Sequence, residues 1–252
     1  MTSPSPTPAS SSAAPVALKF SVVVPTYNEA DGIERLIATL TDVFRNDGLD
    51  GEIIVVDDNS PDGTGAIVDR LEREGYPVRC LHRPGKMGLS SGVIDGWKFA
   101  RPDSEALGAI DADFSHDVNI LPRMVRALAQ DGYGLAIGSR YVPGGGIENW
   151  PKRRIITSRV AIALAQPLTA IRDITSGYFL VKREALDGVE LDPIGFKIGL
   201  EVIAKAKYGR ALEVPYVFTD RVAGTSKLNQ IEIFNYLKQL GRIYLGRLQG
   251  RH

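Results

Sequence analysis

The stretch FSVVVPTYNE, residues 20–29, predicts a buried β-strand that runs into a polar loop. Its β-branched run is bounded by Pro25, and the loop closes on Glu29. Apolar residues then recur at helical spacing, at positions 33, 36, 37 and 40. This part of the chain therefore predicts a strand, a loop and a helix in succession.

The same alternation continues along most of the chain. We predict further strands at 53–56, 78–81, 106–110, 135–137, 178–181 and 212–218. We predict helices around 67–71, 92–100, 121–128, 199–207 and about 230–248, and a flexible glycine loop at 144–146. Strands that alternate with helices imply a mostly parallel central sheet flanked by helices, so the expected fold class is α/β and Rossmann-like.

Length and composition predict one domain preceded by a tail. The chain has 252 residues, and residues 1–17 are rich in Pro, Ser and Ala, which predicts a disordered tail before a single domain at 18–252. The tail lacks the basic and apolar parts of a signal peptide, so we expect a cytoplasmic protein. The best candidate for a membrane span, residues 160–171, is too short for about 20 apolar residues.

The two halves of the chain carry opposite charge although the net charge is zero. Residues 1–150 hold 13 basic and 21 acidic residues, and residues 151–252 hold 17 and 9. One half is therefore suited to cations, and the other to phosphates, nucleic acid or an anionic membrane. Cys80 stands alone, and His82, His116 and His252 lack ligand spacing, so zinc is not expected and any metal should be bound by oxygen.

Acidic residues follow three of the predicted strands. Glu29, the Asp57-Asp58 pair and the Asp111-Ala112-Asp113 segment would lie at one edge of a parallel sheet, where they would repel one another unless a cation lay among them. In an extended segment, Asp111 and Asp113 would point to one side about 6.6 Å apart, which suits a shared Mg²⁺ or Mn²⁺. Ser115 could add a weaker oxygen ligand.

Phosphate recognition has to come from cationic side chains. The sequence has no GxGxxG after its first strand and no GxxxxGK[ST], which argues against dinucleotide oxidoreductases and P-loop hydrolases. Arg140 follows a predicted strand, and Arg221 and Lys227 flank a glycine-containing loop that could close over a diphosphate. The alternative for Arg221 and Lys227 is that they are ordinary solvated surface residues.

Five motifs in order resemble the dolichol-phosphate mannose synthases, or polyprenol-phosphate mannosyltransferases, which are inverting family 2 glycosyltransferases. The motifs are VVPTYNE at 23–29, VVDDNSPDGT at 55–64, DAD at 111–113, GSRY at 138–141 and GTSK at 224–227. The resemblance runs from about residue 20 to 245. It implies a GT-A fold and transfer of mannose from GDP-mannose to a polyprenyl (dolichyl) phosphate, giving a β-mannosyl phosphoryl lipid.

The resemblance also implies roles for individual residues. The guanosine would be held by Pro25, Tyr27, Glu29, Val56 and Asp58. The ribose, the phosphates and a Mg²⁺ or Mn²⁺ ion would be held by Asp111, Ala112 and Asp113, with Asp111 and Asp113 as metal ligands. The diphosphate would be held by Arg140, Arg221 and Lys227, which with Asp113 form the expected catalytic set. Some relatives have Gln where Ser115 stands, and a hydroxyl is the poorer ligand.

The second half of the chain predicts contact with a membrane surface. Lys152, Arg153, Arg154 and Arg159 adjoin the apolar stretch 160–171, and the last helix mixes apolar and basic residues. We therefore expect a peripheral protein on the cytoplasmic face of a membrane, with or without a separate anchoring subunit, and no nucleic acid partner. A helix packed on the core is the alternative for the last helix. Asp173 is either an acceptor-binding residue or a loop cap.

Three other functions fit parts of this pattern. A donor based on UDP, or a sugar acceptor, would keep the fold and change the substrate. A scaffold subunit with an inactive transferase fold would retain the architecture alone. A nucleotidyltransferase would also need metal and diphosphate contacts, but it would release inorganic pyrophosphate.

Overall fold

The computed structural model describes residues 16–219 and 230–249. The strands are β1 Val16–Thr26, β2 Leu49–Asp57, β3 Val78–His82, β4 Ala106–Ala109, β5 Leu135–Ser139, β6 Gly146–Glu148, β7 Phe179–Lys182, β8 Ala211–Pro215 and β9 Val217–Thr219. The helices are α1 Ala30–Asp47, α2 Thr64–Arg73, α3 Leu89–Phe99, α4 Leu121–Gln130, α5 Lys152–Ala165, α6 Ile198–Lys205 and α7 Gln230–Leu248.

Seven strands form one sheet in the order β3-β2-β1-β4-β7-β5-β8. Strand β7 is antiparallel to both of its neighbours, and the other pairs are parallel. The prediction of a mostly parallel sheet flanked by helices is confirmed. The carboxyl ends of β2, β1 and β4 are adjacent in this order, so the loops that follow these strands meet at one edge.

Helices cover both faces of the sheet because its central strands are apolar on both sides. In β1, Val22 and Val24 belong to one core cluster and Val23 belongs to the other, as alternation along a strand requires. Helices α1, α2 and α4 supply the first cluster, and α3, α6 and α7 supply the second. Packed helices on both faces of the sheet therefore support the edge at which the loops after β2, β1 and β4 meet.

Two local predictions are wrong in detail. The strand predicted at 212–218 is two strands, β8 and β9, because the chain breaks at Tyr216 and β9 pairs with β6 in a separate two-stranded sheet. Part of the glycine loop predicted at 144–146 belongs to β6, since Gly146 is paired with Val217. The basic residues 152–154, for which no element was predicted, form the first turn of α5.

The predicted tail falls mostly on residues 1–15, which lie outside the described residues. Strand β1 begins at Val16, two residues before the predicted start of the domain. The division into a tail and one domain therefore stays a prediction. Within residues 16–219 and 230–249, no helix has both the length and the apolar character that a bilayer span requires.

Candidate active site

Each of the three loops that follow β1, β2 and β4 turns through a residue with a left-handed backbone. Asn28 follows β1 with φ 60°, Asn59 follows β2 with φ 57°, and Phe114 lies beyond β4 with φ 57°. Asparagine tolerates this conformation, whereas a bulky residue is strained in it. The Phe114 ring packs against the core and beneath the guanidinium of Arg35 at 4.1 Å, and this packing holds the strained turn.

The Asp111-Ala112-Asp113 segment leaves the sheet and turns at once. The expectation that Asp111 and Asp113 point to one side of an extended segment is wrong, because residues 112 and 113 lie in a turn. Asp113 accepts hydrogen bonds from the backbone N–H of Ser115 at 3.1 Å and from its hydroxyl. Ser115 is buried and donates to this carboxylate, so it orients Asp113.

 The turn thus presents the hydrogen-bonded carboxylate of Asp113 two residues after that of Asp111.

The two carboxylates suit a hard divalent cation. The Asp111 side chain is 37% exposed, and its Oδ2 lies 3.8 Å from Nε2 of His116. Carboxylate oxygens at a solvent-facing loop are the donors that Mg²⁺ and Mn²⁺ prefer, with water and phosphate oxygens completing the shell. The donor chemistry of Asp111 and Asp113 therefore fits such an ion.

His116 supports this loop from below as a neutral imidazole. Its Nδ1 accepts a hydrogen bond from the backbone N–H of Asp111 at 3.2 Å, which assigns the ring proton to Nε2. The ring stacks on Tyr178 at 5.2 Å and meets the edges of Tyr216 and Phe218. Burial lowers the pKa of His116, so the ring adds no charge beside the two carboxylates.

The residues predicted to hold the nucleotide lie at the ends of β1 and β2, but they differ in exposure. Tyr27 is 38% exposed and its ring lies under the ammonium of Lys86 at 4.3 Å. Pro25 and Glu29 are partly buried. The Val56 side chain is buried in the core. These four roles stay predictions.

Asp58 is buried and fully engaged with the loop that follows β3. Its carboxylate forms a salt bridge with Arg83 and accepts the backbone N–H groups of Met87 at 3.0 Å and Gly88 at 3.2 Å. Arg83 is also buried and reaches Asp95 at 3.2 Å. In this structure Asp58 orders the loop at 83–88, and its predicted contact with a guanosine stays a prediction.

Arg140 is held by Asp173 in a buried two-pronged ion pair. Asp173 Oδ2 accepts Nε and Oδ1 accepts Nη2, each at 2.7 Å, and Oδ2 also accepts the backbone N–H of Arg140. Burial alone would lower the pKa of Arg140, but the Asp173 carboxylate raises it. The Arg140 guanidinium is thus charged and held in place, and Asp173 is chiefly the partner of Arg140, a role that the sequence did not indicate.

Lys197 lies near the same group of charges, and no pattern in the sequence pointed to it. Its ammonium donates to the backbone carbonyl of Thr175 at 3.2 Å, two residues from Asp173. Burial, and after it the charge of Arg140, lower the pKa of Lys197 to about 8. A single lysine in a loop has no spacing to reveal it, because only the folded chain brings it to this edge.

One group of possible metal ligands lies away from Asp111. Asp69, Cys80 and His82 place ligand atoms within 4.8 Å of one another, a grouping that the spacing of the histidines in the sequence did not indicate. His82 Nε2 bonds Asp69 at 2.9 Å while Nδ1 faces the Cys80 sulfur at 3.9 Å. Burial and neighbouring carboxylates raise the pKa of Cys80 to about 12. This group belongs to α2 and β3, three strands from β4 in the sheet.

Arg221 and Lys227, the two remaining residues of the predicted catalytic set, lie outside the described residues. Of that set, the structure therefore describes Asp113 and Arg140. Arg140 is 8% exposed and Asp113 is partly buried, so the two differ in their access to a ligand.

The chain matches the family model described as "Glycosyl transferase family 2" over residues 21–189. The chain belongs to this family. It is a glycosyltransferase with the GT-A fold, so the resemblance seen in the five motifs is confirmed. The strand-end loops and the Asp111 segment fall inside the matched residues.

Curated relatives support a narrower likeness. The chain is 43% identical to a dolichol-phosphate mannosyltransferase of Pyrococcus furiosus over 230 residues, which covers 90% of this chain and 64% of the relative. It is 36% identical to the dolichol-phosphate mannosyltransferase of Saccharomyces cerevisiae, covering 91% of this chain and 88% of that one. The chain thus spans about two thirds of the archaeal relative's length and most of the yeast one's.

Solved structures agree on the fold. Mannosyl-3-phosphoglycerate synthase from Rubrobacter xylanophilus superposes with a TM-score of 0.68 at 18% identity, covering 93% of this chain and 76% of that one. A mannosyltransferase from Pyrobaculum calidifontis, in complex with GDP-Man and Mn²⁺, gives 0.61 at 21% identity, covering 94% and 66%. At these identities the likeness concerns the fold alone.

Proposed function

We propose that this glycosyltransferase transfers mannose from GDP-mannose to a polyprenyl phosphate such as dolichyl phosphate. The observation that carries the proposal is the 43% and 36% identity to two proteins named dolichol-phosphate mannosyltransferase, each over nine tenths of this chain. A "polyprenol monophosphomannose synthase" of Mycolicibacterium smegmatis, 37% identical over 82% of the chain, supports the same substrate class.

Asp111 and Asp113 are the proposed ligands of a Mg²⁺ or Mn²⁺ ion. Their carboxylates lie in one turn at the carboxyl end of β4, and Ser115 holds Asp113 in place. A divalent cation bound there supplies positive charge beside the diphosphate that leaves the sugar. Ala112, between the two ligands, is buried, so its backbone rather than its methyl group would face a ribose.

The remaining donor contacts are assigned to residues around this turn. In the set proposed for the guanosine, Tyr27 is exposed, Pro25 and Glu29 are partly buried, and Val56 and Asp58 are buried. Arg140 uses Nε and Nη2 on Asp173. Among the described residues its Nη1 has no hydrogen-bond partner, so Nη1 is the nitrogen we assign to a substrate phosphate. Arg221 and Lys227 keep their proposed role at the diphosphate.

The chemistry requires no general base from the protein. An acceptor phosphate oxygen forms a bond to the anomeric carbon as the bond from that carbon to the GDP oxygen breaks. A phosphate monoester has a second pKa near 6, so it is already largely ionised at neutral pH and has no proton to lose. Direct displacement inverts the anomeric carbon, and an α-linked donor gives a β-mannosyl phosphoryl lipid.

The lipid would arrive over a surface formed by α5 and α7, which we call the helix-pair surface. Its exposed residues on α5 are Ile156, Val160 and Leu164, four residues apart on one stripe. On α7 the exposed apolar residues are Ile233, Phe234, Leu237, Leu245 and Leu248. The helices are tied together by hydroxyls of α7 tyrosines that donate to carbonyls of α5.

We propose that the helix-pair surface rests on an anionic bilayer at its cytoplasmic face. Lys152, Arg153 and Arg159 are exposed on α5 next to the apolar stripe, and this combination suits the interface between lipid headgroups and acyl chains. A separate anchoring subunit is the competing occupant of the same surface. Lipid vesicles without other protein distinguish the two.

The test of the transfer reaction offers two donors to one acceptor. Purified protein is incubated with Mn²⁺ or Mg²⁺, a short polyprenyl phosphate, and either GDP-mannose or UDP-glucose, and the lipid phase is analysed by mass spectrometry. We expect a mannosyl phosphoryl lipid from GDP-mannose and a β linkage by proton NMR. Product from UDP-glucose alone would contradict the donor assignment, and an α linkage would contradict direct displacement.

A further inference from the structure

Lys197 is a partly buried ammonium whose hydrogen-bonding capacity is mostly unused. It has three N–H donors, and in the described part of the chain only the Thr175 carbonyl accepts one, at 3.2 Å. Its other close neighbour is the Phe196 ring at 4.6 Å. No described carboxylate lies within salt-bridge distance of Lys197. A cation withdrawn from water in this way is unfavourable unless an anion joins it.

The charges around Lys197 favour an anionic ligand. The groups that act on it most strongly are, in order, Arg140, Asp173, Asp111 and Arg154. Arg140 and Asp173 neutralise each other in their ion pair, and a divalent cation would neutralise the carboxylate of Asp111. Lys197 then contributes positive charge beside the proposed metal site.

Lys197 also lies between the turn that carries Asp111 and helix α7. Thr175 precedes Gly177 by two residues, and a methyl group on Gly177 would lie 3.8 Å from the carboxylate oxygens of Asp111. On the other side, the buried side chain of Gln239 in α7 donates to the Lys197 carbonyl at 3.1 Å. The backbone of Lys197 therefore adjoins α7, and its ammonium adjoins the segment that precedes Gly177.

We propose that Lys197 binds the phosphate monoester of the polyprenyl acceptor. The inference rests on the proposed function, because that function supplies an acceptor with a phosphate head. The diphosphate of the donor has the same chemistry, but the connection of Lys197 to α7 favours the acceptor. The ammonium orients the phosphate toward the anomeric carbon and offsets its charge as it nears the departing diphosphate.

The test compares Lys197→Met with Lys197→Arg and with Lys207→Met. Lys207 is exposed and likewise donates to one backbone carbonyl, that of Asp187, so it controls for the loss of such a bond. Binding of a short isoprenyl monophosphate, with GDP and Mn²⁺ present, is measured by calorimetry. We expect at least about a tenfold loss of affinity for Lys197→Met, as for one charge-assisted hydrogen bond, and little change for the other two.

A second arm measures GDP binding with Mn²⁺ to the same variants. Lys197→Met should leave GDP affinity within about twofold, whereas an equal loss for GDP and for the isoprenyl phosphate would assign Lys197 to the donor and overturn the inference. If the Met variant does not fold, Lys197→Gln keeps an N–H donor for Thr175 without the charge. Wild type that binds the isoprenyl phosphate but transfers no mannose would contradict the proposed function alone.

The pH dependence gives a readout that a structural role would not produce. Lys197 is cationic below its pKa of about 8 and loses its charge above it. Wild-type affinity for the isoprenyl phosphate should therefore fall between pH 7 and 9.5, and Lys197→Arg should keep its affinity over this range, because arginine stays charged. An equal fall in both proteins would show that another group titrates, and would contradict the assignment.

Discussion

At the scale of single residues, the site depends on side chains held by short local contacts. Asp113 is oriented by the N–H and hydroxyl groups of Ser115, and this contact needs the left-handed turn at Phe114. Position 115 is serine in this chain, whereas some relatives have Gln there. The serine has a function of its own, because its hydroxyl donates a hydrogen bond to Asp113. We therefore assign Ser115 to orienting the ligand.

Replacement of Asp113 tests the metal site directly. We expect Asp113→Ala to lower mannose transfer by about a hundredfold or more, since charge would develop on the diphosphate without its full counter-charge. The same variant should lose Mn²⁺ binding in a titration followed by electron paramagnetic resonance. The matched control is Asp117→Asn, because Asp117 caps the next turn through Asn119. Full activity of Asp113→Ala would refute the metal assignment.

Replacement of Asp173 tests the buried ion pair. Asp173→Asn leaves the Arg140 guanidinium buried without its counter-ion, so we expect the free energy of unfolding in urea to fall by about 3–5 kcal/mol. The control is Asp192→Asn, which removes an exposed pair with Arg242 and should cost about 1 kcal/mol or less. Equal losses in the two variants would mean that burial does not set the strength of the pair.

At the scale of elements, two features position the site. Strand β7 runs antiparallel between β4 and β5, and the chain before it carries Asp173 and Thr175 back toward the carboxyl end of β4. Helices α5 and α7 each expose several apolar side chains, which form the proposed helix-pair surface. The first feature assembles the polar site, and the second gives the proposed route to the membrane.

The helix-pair surface is tested by changing its stripe on α5. Replacement of Ile156, Val160 and Leu164 together by serine should at least halve the fraction of protein that floats with anionic vesicles, because each side chain loses its burial in the interface. Met87→Ser is the control, since Met87 is equally exposed but isolated on another loop. Flotation that is unchanged in the triple variant would exclude α5 from the membrane contact.

At the scale of the whole molecule, the continuous seven-stranded sheet predicts that ligand binding stabilises the entire domain. GDP with Mn²⁺ at a hundred times the dissociation constant should add about 2.7 kcal/mol, or about 5–10 °C in Tm. Differential scanning fluorimetry measures the shift, and a chelator should reverse it. GDP that stabilises equally with and without metal would contradict the metal-dependent site.

The sequence by itself determined the sheet class, the order of its strands with helices, and the acidic loops at the strand ends. These features follow from local patterns: β-branched runs, helical spacing, and polar residues directly after a strand, as at Asp57 and Asp111. The five motifs are local as well, so they also sufficed to indicate the family.

Only the tertiary structure decided which charges meet. Arg140 and Asp173 are 33 residues apart, Lys197 is 22 residues from Thr175, and His116 supports Asp111 within a cage of aromatic rings from later strands. No spacing in the chain encodes these contacts, because they depend on the antiparallel insertion of β7 between β4 and β5. The sequence thus determined the loops that bear the site, and the packing of distant segments determined how its charges are paired.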